Sequence, residues 1–97
     1  MSKIYVSQVE LKIIQDILKS HPGAFVFGSR VTGKHKKFSD LDICFIRENP
    51  IPDLEVSLLR EAFTESNLPY TVDIIDYQKL DNSFQKIIDK EKVRVPL

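Results

Sequence analysis

The chain has 97 residues and a formal net charge of zero, so it forms one domain with a modest core and shows no overall attraction to nucleic acid. Its single cysteine, Cys44, excludes an intrachain disulfide and is typical of a reducing compartment. The sequence shows no signal peptide and no apolar run of about 18 residues, so we predict a cytoplasmic protein that spans no membrane. We expect a single domain over residues 1–97.

The first half of the chain predicts a helix, a strand, a short helix and a second strand. A capping box at Ser7–Glu10 begins a helix that ends near Ser20, before Pro22 and Gly23. The apolar run 24–27 predicts a strand, and a short helix begins after it at Ser29. Residues 34–38 form a basic loop, and 41–47 predict the second strand.

The second half predicts a helix, a strand, a helix and a short edge strand. Asp53 is expected to cap a helix that runs to about residue 65, and a strand follows over 70–76. The last helix covers about 83–90, with Phe84, Ile87 and Ile88 expected to face inward, and 93–95 add an edge strand. This order of elements predicts a small α+β domain in which a sheet is covered by helices.

Two carboxylates, Asp40 and Asp42, are separated by one residue at the start of the second predicted strand. Residues i and i+2 of a strand point to the same face, so the two side chains should project side by side. Carboxylates that close repel each other unless a cation lies between them. Oxygen ligands favour Mg²⁺, with Mn²⁺ as the alternative, so the pair predicts a divalent metal site.

A glycine-serine pair, Gly28-Ser29, lies twelve positions before these carboxylates and follows the first predicted strand. Gly28 lets the backbone approach a phosphate without a Cβ in the way, and Ser29 supplies N–H and hydroxyl donors. Arg30 either reaches a phosphate or is a surface charge. A metal site beside a phosphate-binding turn indicates phosphoryl or nucleotidyl transfer.

The pattern Gly28-Ser29, a spacer, then Ser39-Asp40-Leu41-Asp42 resembles the nucleotidyltransferase superfamily that includes DNA polymerase beta and kanamycin nucleotidyltransferase. It is most similar to the minimal nucleotidyltransferase group, whose domains have about this length. The resemblance implies a mixed sheet of three to four strands, with helices packed on one face and the aspartates exposed.

The resemblance also implies a third carboxylate on a later strand, and Asp73 within Val72-Asp73-Ile74-Ile75 fits the expected pattern. Asp76 is the other candidate, although in a regular strand it faces the opposite side. The implied catalytic and metal-binding set is Asp40, Asp42 and Asp73, holding two Mg²⁺ ions. The residues that we predict to bind the nucleotide and its phosphates are Gly28, Ser29, Arg30 and Ser39.

As for activity, the resemblance implies an adenylyltransferase that acts as the antitoxin of a type VII toxin–antitoxin pair. In that group the enzyme transfers AMP from ATP to a tyrosine of a HEPN-family toxin, with which it forms a heteromeric complex. Two other hypotheses remain: an antitoxin that acts by binding alone, and an enzyme that modifies a small molecule such as an aminoglycoside. A homodimer is compatible with all three, and neither a membrane nor direct nucleic-acid binding is expected.

Overall fold

A four-stranded mixed sheet forms the middle of the molecule, in the computed structural model that describes residues 3–97. The strand order is β3-β2-β1-β4. The strands are β1 (Ala24–Phe27), β2 (Leu41–Phe45), β3 (Val72–Asp76) and β4 (Val93–Arg94). β1 is antiparallel to both β2 and β4, whereas β2 and β3 are parallel. β3 is therefore an edge strand.

Residues 3–97 contain four α-helices: α1 (Gln8–Leu18), α2 (Ser29–Thr32), α3 (Asp53–Thr64) and α4 (Asn82–Glu91). α1 precedes β1, and the other three connect successive strands. The predicted capping box of α1 is present, since the Ser7 hydroxyl accepts from the Glu10 N–H and the Glu10 carboxylate accepts from the Ser7 N–H. A 3₁₀ turn at Tyr77–Lys79, which the sequence analysis did not predict, links β3 to α4. None of the helices within residues 3–97 is long and apolar enough to cross a membrane.

One face of the sheet carries the main core. Val26, Ile43 and Ile74 lie at paired positions of three neighbouring strands and are buried. They pack in one apolar cluster with side chains of α1 and α3, of which Leu18 and Leu59 are fully or almost fully buried. Alternation along each strand leaves Phe27, Asp42 and Asp73 on the opposite face.

The last helix, α4, lies on that opposite face. Its Phe84 ring meets Phe27 edge-to-face, with ring centroids 6.1 Å apart. The predicted α+β class with a small mixed sheet is confirmed. The helices were expected on one face of the sheet, whereas α4 packs on the face opposite α1 and α3. β2 needs cover on both sides, because Ile43 and Cys44 point to opposite faces and both are fully buried.

Several predicted details differ from the structure. The second strand ends at Phe45 rather than 47, and the third begins at Val72 rather than 70. Asp53 is the first residue of α3, whose N-cap is Pro52 without a side-chain hydrogen bond, so Asp53 is not the cap. In α4 only Ile88 is fully buried, whereas Ile87 is 52% exposed, because a single helix on the sheet buries only a narrow stripe.

Candidate active site

Asp42 and Asp73 are direct neighbours in the sheet. They occupy paired positions of the parallel strands β2 and β3, with side chains on the face opposite the main core. Asp42 is half-buried and Asp73 is exposed. Burial, followed by the charges of Asp73, Asp40 and Glu91, raises the pKa of Asp42 to about 6. The geometry therefore concentrates negative charge around one half-buried carboxylate and disfavours its ionised form.

Asp40 lies one residue before β2 and is exposed. Its charge is one of the causes of the raised pKa of Asp42, which lies two residues further along the chain. None of the ion pairs formed within residues 3–97 involves Asp40, Asp42 or Asp73. A set of mutually repelling carboxylates without a cationic partner is chemically suited to a hard divalent cation. In the described chain, however, no three His, Cys, Asp or Glu side chains are already grouped closely enough to hold one.

Gly28 forms a turn directly against Asp42. Its φ of 81° is left-handed, and a Cβ at this position would collide with the Asp42 carboxylate. The same turn leads into α2, whose first residue is Ser29. Gly28 is predicted from the sequence to let a phosphate approach the backbone. The structure adds a second reason for glycine, which is the close approach of Asp42.

A fourth acidic side chain, Glu91, lies at this turn and was missed by the sequence analysis. Its Oε1 accepts a hydrogen bond from the Gly28 N–H at 3.0 Å. Glu91 is the last residue of α4 and lies 63 positions from Gly28 along the chain. No local motif or periodicity connects two such positions, so only the tertiary structure shows the contact.

Arg30 is buried, with 3% of its surface exposed, so the interpretation as a surface charge is wrong. Its guanidinium donates to the carbonyls of Ser39 and Tyr5 at 2.9 Å each and of Lys37 at 3.1 Å. It also stacks on the Tyr70 ring, 3.8 Å from the centroid. Arg30 thereby fixes the conformation of the loop that precedes Asp40. Its predicted contact with a phosphate stays a prediction.

Ser39 and Ser29 differ in how far their polar groups are already used. The Ser39 hydroxyl accepts from the Lys36 N–H at 2.7 Å, which closes the loop before Asp40. The Ser29 carbonyl accepts from the Gly33 N–H, while its hydroxyl bonds to no other group of the described residues. The Ser29 hydroxyl is thus free for a ligand. Nucleotide binding by either serine stays a prediction.

Asp76, the other candidate for the third carboxylate, is buried on the core side of the sheet. Its Oδ2 accepts from the Ile51 N–H at 3.1 Å and its Oδ1 from the Gln78 N–H at 3.0 Å. These bonds fix the connection before α3 and the 3₁₀ turn. The geometry favours Asp73 as the partner of Asp42, because Asp76 faces away from it.

Comparisons with known proteins identify the family and the fold of this chain. The family model described as polymerase beta, nucleotidyltransferase matches residues 12–95. A protein of Haemophilus influenzae named probable protein adenylyltransferase MntA is 40% identical over 92 residues, which cover 92% of this chain and 81% of the relative.

Solved structures of similar fold include components of toxin–antitoxin complexes. One, a toxin–antitoxin with AMP-PNP, matches with a TM-score of 0.70 at 19% identity, over 89% of this chain and 72% of that one. Another, the toxin–antitoxin MntA-HepT, matches with a TM-score of 0.63 at 16% identity, over 93% and 72% of the two chains. The sequence match and the shared fold together place this chain in the polymerase beta nucleotidyltransferase family.

Proposed function

We propose that this protein transfers AMP from ATP to a tyrosine hydroxyl of a partner toxin of the HEPN class and so acts as its antitoxin. The observation that carries the proposal is the direct pairing of Asp42 with Asp73 beside the Gly28-Ser29 turn. The 40% identical relative is named a probable protein adenylyltransferase, and similar folds occur in toxin–antitoxin complexes, one of them with AMP-PNP. Both findings support a protein acceptor and an adenine nucleotide.

The proposed step is a displacement at the α-phosphorus of ATP. The acceptor hydroxyl oxygen forms the new P–O bond, and the bond from that phosphorus to the pyrophosphate oxygen breaks. The hydroxyl proton moves to a carboxylate, for which Asp73 is the candidate because it is exposed beside Asp42. Pyrophosphate leaves with the bonding electrons, so a tyrosyl-AMP ester and pyrophosphate are the products.

Positioning and charge dominate such a step, because the protein contributes little covalent chemistry to it. Asp40, Asp42 and Asp73 would hold Mg²⁺, which would neutralise the charge on the triphosphate and on the departing pyrophosphate. Ser29 offers its hydroxyl to the β- and γ-phosphates, and Gly28 keeps the backbone close to Asp42. Arg30 and Ser39 fix the loop that brings Asp40 to the start of β2.

Intact-mass spectrometry of the partner after incubation with ATP and Mg²⁺ tests the proposal. The wild type should add one or more AMP units to the partner, whereas an Asp40→Asn/Asp42→Asn variant should add none. Asp16→Asn is the matched control, since Asp16 is an exposed aspartate of α1 outside the site. An unmodified partner that is nevertheless silenced in a tight complex would overturn the proposal in favour of an antitoxin that acts by binding alone.

A further inference from the structure

A groove runs along the free edge of β3, between that strand and α3. It consists of two adjoining cavities of about 580 Å³ and about 390 Å³. Arg60 of α3 lines both, so the two cavities adjoin at its side chain and follow the strand one after the other. Asp73 lines the first cavity, and Ile74 and Asp76 line the second. Asp73, whose carboxylate belongs to the candidate active site, therefore lies where the two cavities adjoin along β3.

The strand that forms one wall of this groove has unpaired backbone groups. Within residues 3–97, β3 pairs with β2 alone, and the Leu41 N–H donates to the Thr71 carbonyl at 2.9 Å. Hydrogen bonds alternate along each strand of a parallel pair, so the N–H and C=O groups of Val72 and Ile74 point away from β2. Such an edge is a template for the addition of another strand.

The other wall is the outer side of α3. Ser57, Arg60 and Thr64 lie on one helical face, and all three are exposed. Arg60 takes part in none of the ion pairs within the described part of the chain. A strand placed in the groove would therefore meet an uncompensated cation, which favours an acidic side chain on the incoming segment.

We propose that an extended segment of the acceptor protein binds in this groove as a fifth strand beside β3. This proposal rests on the proposed AMP transfer and adds where the acceptor lies. The segment pairs with Val72 and Ile74 and brings its hydroxyl side chain to Asp73.

The two faces of the sheet predict the spacing of two side chains in the bound segment. Asp73 points to the Asp42 face, whereas Arg60 belongs to α3, which covers the core face. Successive side chains of a strand alternate between faces. The acceptor hydroxyl and the acidic residue opposite Arg60 are therefore an odd number of positions apart in the segment.

Hydrogen exchange on the wild-type protein, with and without its partner and before ATP is added, tests the pairing directly. The amides of Val72 and Ile74 should become protected in the complex. Unchanged exchange at both amides in a complex that supports AMP transfer would overturn the proposal.

A pair of substitutions in α3 gives an independent test. Thr64→Trp fills the groove, whereas Glu61→Trp places the same side chain on an exposed position of α3 that lines neither cavity. Thr64→Trp should slow AMP transfer to the partner about tenfold or more, because small displacements of the reacting groups cost large factors in rate. ATP binding by the same variant should be unchanged, and Glu61→Trp should behave as wild type.

The outcomes separate the two proposals. If the wild type adds no AMP to the partner, the proposed function fails. If the wild type adds AMP to the partner and Thr64→Trp transfers AMP equally well, the proposed function stands and the strand-addition site is wrong. Should Thr64→Trp fold poorly, Arg60→Glu replaces it, since Arg60 is exposed and its charge reversal should weaken partner binding without affecting ATP binding.

Discussion

Asp42 and Asp73 lie at paired positions of two parallel strands, although 31 residues separate them in the sequence. One is half-buried, the other is exposed, and no basic side chain forms an ion pair with either within residues 3–97. A stable fold normally compensates neighbouring charges of the same sign. Their uncompensated state supports a role in binding cations.

Replacing Asp42 with Asn should abolish activity but stabilise the metal-free protein. The pKa of Asp42 is raised to about 6 by burial and by three neighbouring acids, which means that its ionised form is disfavoured in the folded state. Removal of that charge should increase the melting temperature at neutral pH, while nucleotidyl transfer falls by at least about 10²-fold. Thermal denaturation in EDTA measures the first effect. A lower melting temperature would contradict the assignment.

Gly28→Ala should destabilise the protein more than Gly33→Ala. Both glycines have a positive φ, 81° and 83°, but Gly28 combines it with a ψ of −153°, a region open essentially to glycine alone, whereas Gly33 has a ψ of 6° in the left-handed helical region. Both substitutions carry backbone strain of about 1 kcal/mol or more, and the strain is larger at Gly28. Only at Gly28 would the new Cβ also collide with Asp42, since at Gly33 it would meet the Tyr5 ring at 3.6 Å. Urea denaturation compares the two variants. Equal losses would contradict both the larger backbone strain at Gly28 and the collision with Asp42.

Glu91→Ala should weaken ATP binding, and Glu91→Gln should restore most of it. The Glu91 side chain accepts the Gly28 N–H at 3.0 Å, and Gln keeps an acceptor oxygen at that position. Loss of the acceptor should cost about 1 kcal/mol and loosen the turn before Ser29. The measurements are KM for ATP and kcat, with the melting temperature as a control for folding. Tighter ATP binding by Glu91→Ala would show instead that the carboxylate competes with phosphate.

Acid should weaken the fold through Glu55. Two hydrogen bonds from Arg47, at 2.9 and 2.6 Å, and one contact with His21 at 2.8 Å hold its carboxylate. The hydrogen bonds from Arg47 are the largest cause of a lowered pKa, and the His21 bond lowers it further. Together they bring the pKa of Glu55 to about 2, although burial acts to raise it. The stability from this lowered pKa is present above the unfolded-state pKa of about 4.3 and is lost as the pH falls towards about 2.

The Glu55→Gln variant isolates this contribution, because its amide cannot titrate. Its free energy of unfolding, measured by urea denaturation between about pH 5 and about pH 2, should fall less steeply than that of the wild type. Parallel curves for the two proteins would show that other carboxylates cause the acid sensitivity.

The local features of the site could be predicted from the sequence, because each of them depends on neighbouring residues. The Gly28-Ser29 turn and the Asp40, Asp42 pair lie within one loop and its flanking strands. Asp73 followed from the family resemblance, and the strand register then placed it beside Asp42. The Glu91 contact and the buried position of Arg30 could not be predicted, because both depend on residues that only the fold brings together.

The position of α4 also depends on tertiary structure. Its apolar residues indicate a helix but do not say which face of the sheet it covers. Phe27 and Cys44 point away from α1 and α3, and α4 covers that face at Phe27. The alternation of apolar residues along each strand is visible in the sequence. Which face of the sheet α4 covers, however, can be told only once the strand order is known.

The most direct test of the account is the transfer of radioactive label from ATP to the partner protein. Parallel reactions use ATP labelled at the α-phosphate and ATP labelled at the γ-phosphate, with wild type and Asp73→Asn. The account predicts that only the α-label stays on the partner, that pyrophosphate is released in equal amount, and that Asp73→Asn transfers neither label. Transfer of the γ-label, or of no label by a wild type that binds both ATP and its partner, would contradict it.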